Sequence, residues 1–215
     1  MATQQVIETS KGAQVLESRG ISRRKFLGYC AGIATMIGLS QTAAPQIADA
    51  LESVIGESEG GLKPVIWLEG ASCTGCTEAF AQVDTPDVPS VVLELLSLNY
   101  SETLSAAAGH SMEEARKQTI AAGGYLVVFE GAVVEGWDGN ALRIADEKGT
   151  DILLETAYSA EAIIAYGSCA CDGGWQAARP NPSNALGVQK FLKKNGIDKP
   201  VINIPCCPGN PEWIV

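Results

Sequence analysis

"PVIWLEGASCTGC", residues 64–76, joins a short apolar run to a loop that carries two cysteines, Cys73 and Cys76. The run is apolar nearly throughout and is closed by Gly70, a pattern typical of a strand that is buried on both faces. The stretch therefore predicts a buried strand that ends in a loop presenting two thiols.

Four further runs have the same apolar character: 91–100, 125–131, 162–168 and 201–205. The last three also end at or next to Gly or Pro. Helical stretches separate them. Ser111 with Glu114 predicts a capping box at the start of one helix, and residues 185–196 place apolar side chains near one face before Gly196, where a helix commonly stops. Strands that alternate with helices predict an α/β fold with an open, doubly wound parallel sheet.

Cysteines follow three of these predicted strands. Five cysteines lie just past the carboxyl end of one of these strands: Cys73, Cys76, Cys169, Cys206 and Cys207. In a parallel sheet these ends share one edge, and doubly wound folds bind their ligands there. The sequence therefore predicts that thiols far apart in the chain meet at a common site.

Composition limits what this site can be. The 215 residues are 46% hydrophobic and 19% charged, which fits a globular domain with a core of ordinary size. The net charge of −10 argues against nucleic acid as a partner. The seven cysteines are an odd number, so they cannot all pair as disulfides, and metal binding becomes attractive.

Four thiolates can hold a tetrahedral zinc ion or an iron–sulfur cluster. Zinc ribbons usually present two similar Cys-x-x-Cys knuckles, whereas here one such motif is joined by cysteines from two unlike loops, which favours a cluster. The loops are rich in glycine, so their backbone N–H groups can approach the sulfurs closely. A redox-active dithiol and structural disulfides remain open as alternatives on spacing alone.

The N-terminus has the parts of a signal peptide. "SRRKFLGYCAGIATMIGLS" begins at Ser22 with Arg23 and Arg24, continues as a mildly apolar stretch, and is followed by "AAPQIADA" with a small-residue cleavage site. The motif resembles the twin-arginine export signal, and the apolar stretch is too short and glycine-rich for a membrane span. We expect a leader at 1–50, a linker at 51–61 and the folded domain at 62–215, located in the periplasm or on the outer face of the cytoplasmic membrane.

Three longer segments carry a resemblance to a known family. "PVIWLEGASCTGCTEAF", "GSCACDGGWQAARPNPS" and "INIPCCPGNPEW" resemble the small subunit of [NiFe] hydrogenases, in its N-terminal, flavodoxin-like domain. The resemblance continues through "EGAVVEG" and "NYSETLSAAAGH" to nearly all of residues 62–215.

The resemblance implies a function. In that family this domain binds the proximal [4Fe–4S] cluster next to the nickel–iron centre of a large subunit, and the ligands correspond to Cys73, Cys76, Cys169 and Cys207. It implies an oxidoreductase complex that oxidises H₂ or reduces protons, in which this chain transfers electrons and holds no catalytic residue. The implied partners are the large subunit and an electron acceptor such as a cytochrome, with membrane association through a partner.

This chain departs from the family's pattern at a few positions. Cys206 stands where the family usually has glycine, Cys171 where it has another small residue, and Gly209 replaces a common proline. Our hypothesis is that Cys171 and Cys206 are not ligands and that Cys207 is, because Cys207 precedes Pro208 as in the family. The oxygen-tolerant branch has further cysteines at the positions of Gly75 and Gly174, so the resemblance implies a standard four-cysteine cluster.

Two other functions stay open. One is the related iron–sulfur subunit of a quinone-reducing respiratory complex, which shares a Cys-Pro motif late in the domain. The other is a zinc-stabilised interaction domain without enzymatic activity. Exported members of the hydrogenase family continue into a C-terminal domain with medial and distal clusters, and we expect that domain to be absent from a chain that ends at Val215. The chain could be a fragment of a longer small subunit or a natural short form, and the sequence fits both.

Overall fold

The computed structural model describes residues 22–36, 40, 42, 44, 45, 48 and 62–215. The chain divides into two units, Met1–Leu62 and Lys63–Val215. Most of the expected leader, including Asp49 and Ala50 of its cleavage site, and the whole of the expected linker 51–61 lie outside the described residues.

The first unit contains helix α1, Arg23–Met36, which begins at the paired arginines. Phe26 and Cys30 are buried against Ala44 and Ala48. Within the part of the chain that the structure describes, no helix combines the length and the apolar character needed to cross a bilayer.

The second unit alternates strands and helices. Its strands are β1 Lys63–Glu69, β2 Leu96–Ser101, β3 Leu126–Glu130, β4 Val133–Val134, β5 Arg143–Ile144, β6 Glu147–Lys148, β7 Ala162–Tyr166, β8 Ala185–Leu186 and β9 Val201–Ile204. Its α-helices are α2 Gly75–Phe80, α3 Val88–Ser90, α4 His110–Ala122, α5 Gly149–Ser159, α6 Ser168–Asp172 and α7 Val188–Lys194. A π-helical turn spans Val91–Leu95, and 3₁₀ turns span Gly174–Ala177 and Pro211–Trp213.

Five strands form one sheet in the order β2-β1-β3-β7-β9, and every neighbouring pair in it is parallel. Counted among themselves these strands run 2-1-3-4-5, which is the flavodoxin-like order of doubly wound folds. The prediction of an α/β fold with a doubly wound parallel sheet is confirmed. In this order the chain reverses its direction of travel between β1 and β3, and ligands bind at that point of such sheets.

Both faces of the sheet are covered, as the continuous apolar runs predict. Ile66 and Leu68 of β1 pack into the core on one face, and Val65 and Trp67 pack into a second cluster on the other. Alternate residues of a strand point to opposite faces, so a strand buried on both sides must be apolar at nearly every position. The carboxyl ends of the strands are thereby fixed relative to one another, which positions the loops that carry the cysteines.

Three details of the sequence prediction were wrong. Residues 91–95 form a π-helical turn, so only the second half of the predicted strand 91–100 is extended. The capping box is absent from α4, because Gly109 occupies the cap and Ser111 donates its hydroxyl to Ala108 instead. The predicted helix 185–196 begins only at Val188, since residues 185–186 pair with β4.

A buried arginine joins α4 to α5. Arg116 is fully buried; its Nε donates to Glu113 at 3.0 Å, and its Nη1 donates to Glu155 at 2.7 Å and to Thr156 at 3.0 Å. Removing one partner of a buried ion pair leaves the others without compensation, which costs about 3–5 kcal/mol when all are buried.

Replacing Arg116 by methionine should therefore destabilise the domain. We expect a loss of about 2 kcal/mol in the free energy of unfolding, below the range for fully buried pairs, because the side chain of Glu155 is 45% exposed and remains partly hydrated. Urea unfolding of the full chain measures it. Gln118→Met on the same helix is the control, since Gln118 is exposed and hydrogen-bonds to Glu114, which is not a partner of Arg116. Equal effects of the two changes would contradict this account of Arg116.

Candidate metal centre

Loops from neighbouring strands are tied together at the carboxyl edge of the sheet. We call the edge formed by residues 70–77, 130–132, 167–176 and 205–210 the strand-end rim. The N–H of Ala71 donates to Ala132 at 2.9 Å and the N–H of Ala132 returns a bond of 3.1 Å, which joins the loops after β1 and β3. The N–H of Ser168 donates to the carbonyl of Cys206 at 2.8 Å, and the Ser168 hydroxyl accepts the N–H of Cys206 at 3.1 Å. The loops after β7 and β9 are thus joined as well.

The sulfur of Cys76 lies where three of these loops meet. A Cβ placed on Gly167 would stand 2.4 Å from the Cys76 sulfur, so the loop leading to Cys169 passes directly against it. The N–H of Gly209, two residues after Cys207, donates to the same sulfur at 3.3 Å. Proline has no N–H and could not make this bond, so the glycine that departs from the family pattern adds a donor to the site.

The pKa of Cys76 is affected by the other predicted ligands. Burial raises the pKa of Cys76 to about 11, the N–H of Gly209 opposes the rise, and negative charges on Glu130, Cys169 and Cys207 add to it. Such a thiol stays protonated at neutral pH unless a cation compensates its charge.

Cys169 has a similar environment. Burial raises the pKa of its thiol, and hydrogen bonds from the Gln176 side chain and the Trp175 backbone lower it. Charges on Cys207 and Cys73 raise it again. The charges that shift these two pKa values therefore come in part from the other predicted ligands, which lie on three loops.

The two remaining cysteines of the rim, Cys171 and Cys206, make other contacts than the predicted ligands do. The thiol of Cys171 donates to the carbonyl of Ala165 at 3.4 Å, and burial raises its pKa to about 11. Cys206 is exposed and has a φ of +105°, a conformation that favours glycine. Its backbone, rather than its thiol, joins two loops. These contacts agree with the hypothesis that neither residue is a ligand, which stays a prediction.

Sequence reasoning missed a carboxylate that holds the Cys-x-x-Cys loop in place. Glu130, at the end of β3, is 2% exposed. Its Oε1 accepts the Ser72 hydroxyl at 2.7 Å and the N–H of Cys76 at 3.1 Å. Its Oε2 accepts the N–H and hydroxyl of Thr77 at 2.7 and 2.5 Å. An acidic residue at the end of an otherwise apolar strand was the signal available in the sequence, since a buried carboxylate must find donors.

The donor set fits an iron–sulfur cluster. Such clusters take four cysteine thiolates, and N–H groups directed at the sulfurs tune their potential. Charges on Cys73 and Cys207 contribute to the raised pKa of Cys169 and the charge on Cys207 to that of Cys76, and the N–H of Gly209 donates to the Cys76 sulfur, as a cluster site requires. Within residues 62–215 the cysteines form no disulfide. Among the described residues, no group of three or more His, Cys, Asp or Glu side chains is arranged to hold a metal ion.

One glycine of the rim provides a sharp test of this geometry. We expect Gly167→Ala to displace the Cys76 sulfur, because the new Cβ would stand 2.4 Å from it. Gly196→Ala is a matched control: Gly196 has a φ of +74° against +88° for Gly167, yet has nothing within 4 Å of the added Cβ. Iron content per chain after anaerobic purification should fall for Gly167→Ala alone. Equal iron contents in the two variants would contradict the placement of Cys76.

Comparison with known proteins assigns the chain to a family. The profile of the family described as "NADH ubiquinone oxidoreductase, 20 Kd subunit" matches residues 73–215, and the chain belongs to this family. Within it, the chain is similar to small subunits of [NiFe] hydrogenases, which confirms the resemblance seen in the sequence. It is 38% identical over 202 residues to the periplasmic [NiFe] hydrogenase small subunit 1 of Nitratidesulfovibrio vulgaris. It is 41% identical over 200 residues to the Hydrogenase-2 small chain of Escherichia coli.

Coverage differs between the chain and these relatives. The alignments include 93% and 92% of this chain but only 61% and 51% of the two relatives. Among solved structures, the [NiFeSe] hydrogenase of Desulfovibrio vulgaris Hildenborough matches with a TM-score of 0.69 and 36% identity, over 73% of this chain and 58% of the other. The chain thus spans about half to three fifths of the length of the proteins it resembles.

Proposed function

We propose that this chain is the electron-transfer small subunit of a [NiFe] hydrogenase. It would relay electrons between the nickel–iron site of a large subunit and an external acceptor such as a cytochrome, in H₂ oxidation and proton reduction. The observation that carries the proposal is the position of the Cys76 sulfur, against the loops that carry Cys169 and Cys207, in a chain similar to hydrogenase small subunits over 93% of its length.

The residues of the strand-end rim would have different roles in this function. Cys73, Cys76, Cys169 and Cys207 would hold a proximal [4Fe–4S] cluster, which when bound accepts and releases single electrons. The N–H of Gly209 donates to a ligand sulfur, and the Glu130 carboxylate fixes the loop between the first two ligands. The rim also exposes one large apolar side chain, since Trp175 is 89% exposed. Such a side chain suits a contact with the large subunit, whose cover would exclude water from the sulfurs.

The rest of the chain fits an exported protein. We propose that residues 1–50 are a twin-arginine leader, that 51–61 are a linker, and that 62–215 form the cluster-binding domain. Support comes from Arg23 and Arg24, which are exposed at the start of α1. The proposed location is the periplasm or the outer face of the cytoplasmic membrane, with a partner providing any attachment to the membrane.

The family description favours one second candidate. A 20 kDa subunit of NADH ubiquinone oxidoreductase belongs to a quinone-reducing complex, so an iron–sulfur subunit of such a complex is the alternative. The two functions share the cluster and differ in the partner.

Co-expression separates the candidates. The full chain, produced anaerobically with a [NiFe] large subunit, should co-purify with it, contain iron and sulfide, and support H₂-driven dye reduction. The large subunit produced without this chain should not reduce the dye. Zinc in place of iron and sulfide would contradict both candidates. A brown, cluster-containing chain that neither binds the large subunit nor supports dye reduction would favour the respiratory alternative.

A further inference from the structure

A buried tyrosine contacts the turn that carries the fourth predicted ligand. This turn spans residues 206–209, shortly after β9, and includes Cys207. Tyr166 is the last residue of β7 and is fully buried. Its hydroxyl donates to the carbonyl of Gly209 at 3.0 Å. The turn is therefore bound to an interior strand of the sheet as well as to β9, which it follows.

The ring of Tyr166 supports the same residue. A Cβ placed on Gly209 would stand 2.4 Å from Cε2 and 2.7 Å from Cδ2 of the ring, so the main chain of Gly209 lies directly against it. The ring has a fixed place, since Trp67 packs against it at 87° with centroids 5.9 Å apart. Tyr166 also pairs with Ile204 within the sheet. A rigid side chain therefore limits where the main chain of Gly209 can lie.

Gly209 uses both of its main-chain polar groups in buried hydrogen bonds. Its N–H donates to the Cys76 sulfur at 3.3 Å, and its carbonyl accepts the Tyr166 hydroxyl. Glycine has more freedom of backbone rotation than other residues, so an N–H at this position keeps its direction only if other contacts fix it. The hydroxyl and the ring of Tyr166 provide such contacts.

We propose that Tyr166 is a positioning residue that sets the reduction potential of the cluster by holding the Gly209 N–H on the Cys76 sulfur. The inference rests on the proposed function, in which Cys76 is a cluster ligand. Reduction adds negative charge to the cluster, and an N–H directed at a ligand sulfur stabilises that charge and so raises the potential. Because Tyr166 acts through Gly209, removal of its hydroxyl should lower the potential while all four predicted ligands remain.

The test compares midpoint potentials in the assembled complex of this chain with its large subunit. Tyr166→Phe keeps the ring and removes only the hydroxyl. We expect its potential, followed by EPR during redox titration, to lie below that of wild type. Tyr125→Phe is the matched control, since Tyr125 is also fully buried and donates to a backbone carbonyl, that of Thr156, at 2.7 Å. Its potential should equal that of wild type, because its hydroxyl holds helix α5 rather than the turn with Gly209.

An unchanged potential in Tyr166→Phe with the cluster retained, or equal shifts in the two variants, would overturn the proposal. Should Tyr166→Phe lose the cluster, two variants of matched size decide the question. Tyr166 is replaced by 4-aminophenylalanine, which keeps a donor, or by 4-methylphenylalanine, which has none. The amino variant should retain the cluster at a potential near that of wild type, and the methyl variant should not. Equal behaviour of these two variants would overturn the proposal.

Iron and sulfide analysis of the wild-type complex comes first, because a chain without a cluster disproves the proposed function itself.

Discussion

Replacing Cys76 by alanine is expected to abolish cluster binding. Cys76 is the most buried of the four predicted ligands, and its sulfur contacts both of the other ligand-bearing loops. An alanine removes one of the four predicted thiolate ligands and leaves the N–H of Gly209 without its acceptor. Iron and sulfide contents and the EPR signal of the reduced, anaerobically purified complex should fall to background. Alanine at Cys73, Cys169 or Cys207 should have the same effect.

Two matched controls make this prediction specific. Cys171→Ala and Cys206→Ala remove cysteines from the same loops and should leave iron content and the EPR signal intact. The thiol of Cys171 is directed at the carbonyl of Ala165, and Cys206 contributes backbone bonds to Ser168. Loss of the signal in either control would show that the ligand set is wrong.

The sequence sufficed to predict that the loops carrying the cysteines lie at one edge of the sheet. Each apolar run that ends at Gly or Pro became a strand of the parallel sheet, and parallel strands place their carboxyl ends at one edge. That rule alone brings Cys76, Cys169 and Cys207 together without any knowledge of side-chain contacts. Which loops carry cysteines to the same edge therefore depended on topology, which a hydrophobic pattern reveals well.

The run 91–100 shows where a hydrophobic pattern is insufficient. Its first half is as apolar as a buried strand, and such a run cannot be told from a buried helical segment by periodicity. A local signal decided the outcome: Asp87 caps the preceding turn by accepting the N–H of Ser90, with Pro89 in the first turn. The chain continues helically through Val91–Leu95 before it extends.

The partners of the residues that support the ligands were beyond the reach of sequence reasoning. Glu130 meets Ser72 and Thr77 across 58 and 53 positions of the chain, and Gln176 meets Ala71 across 105. No local pattern records such pairs, because they arise only after the sheet has formed. A thiol spacing can suggest a metal, whereas the polar groups that hold the thiols in place require the fold.

Replacing Glu130 by alanine is expected to cost about 4 kcal/mol in the free energy of unfolding. The substitution strands the backbone N–H groups of Cys76 and Thr77, and each buried donor left without an acceptor costs about 1–3 kcal/mol. Glu130→Gln should cost about half as much, since each carboxylate oxygen accepts one of these N–H groups and a side-chain amide can accept at only one end. Urea unfolding of the full chain measures both.

A third variant separates the carboxylate from its hydroxyl partners. Thr77→Val removes the hydroxyl bond to Oε2 but keeps both backbone bonds, so it should cost only about 1 kcal/mol and leave iron content unchanged. Glu130→Ala should reduce iron content as well as stability, because the N–H of Cys76 that Glu130 fixes belongs to a ligand residue. If Glu130→Ala and Glu130→Gln lowered the free energy of unfolding no more than Thr77→Val does, the Glu130 carboxylate would not be the group that orders the loop. If Glu130→Ala lowered stability without lowering iron content, Glu130 would stabilise the fold but would not be needed to position the ligand loop. The thiolates themselves would then hold that loop.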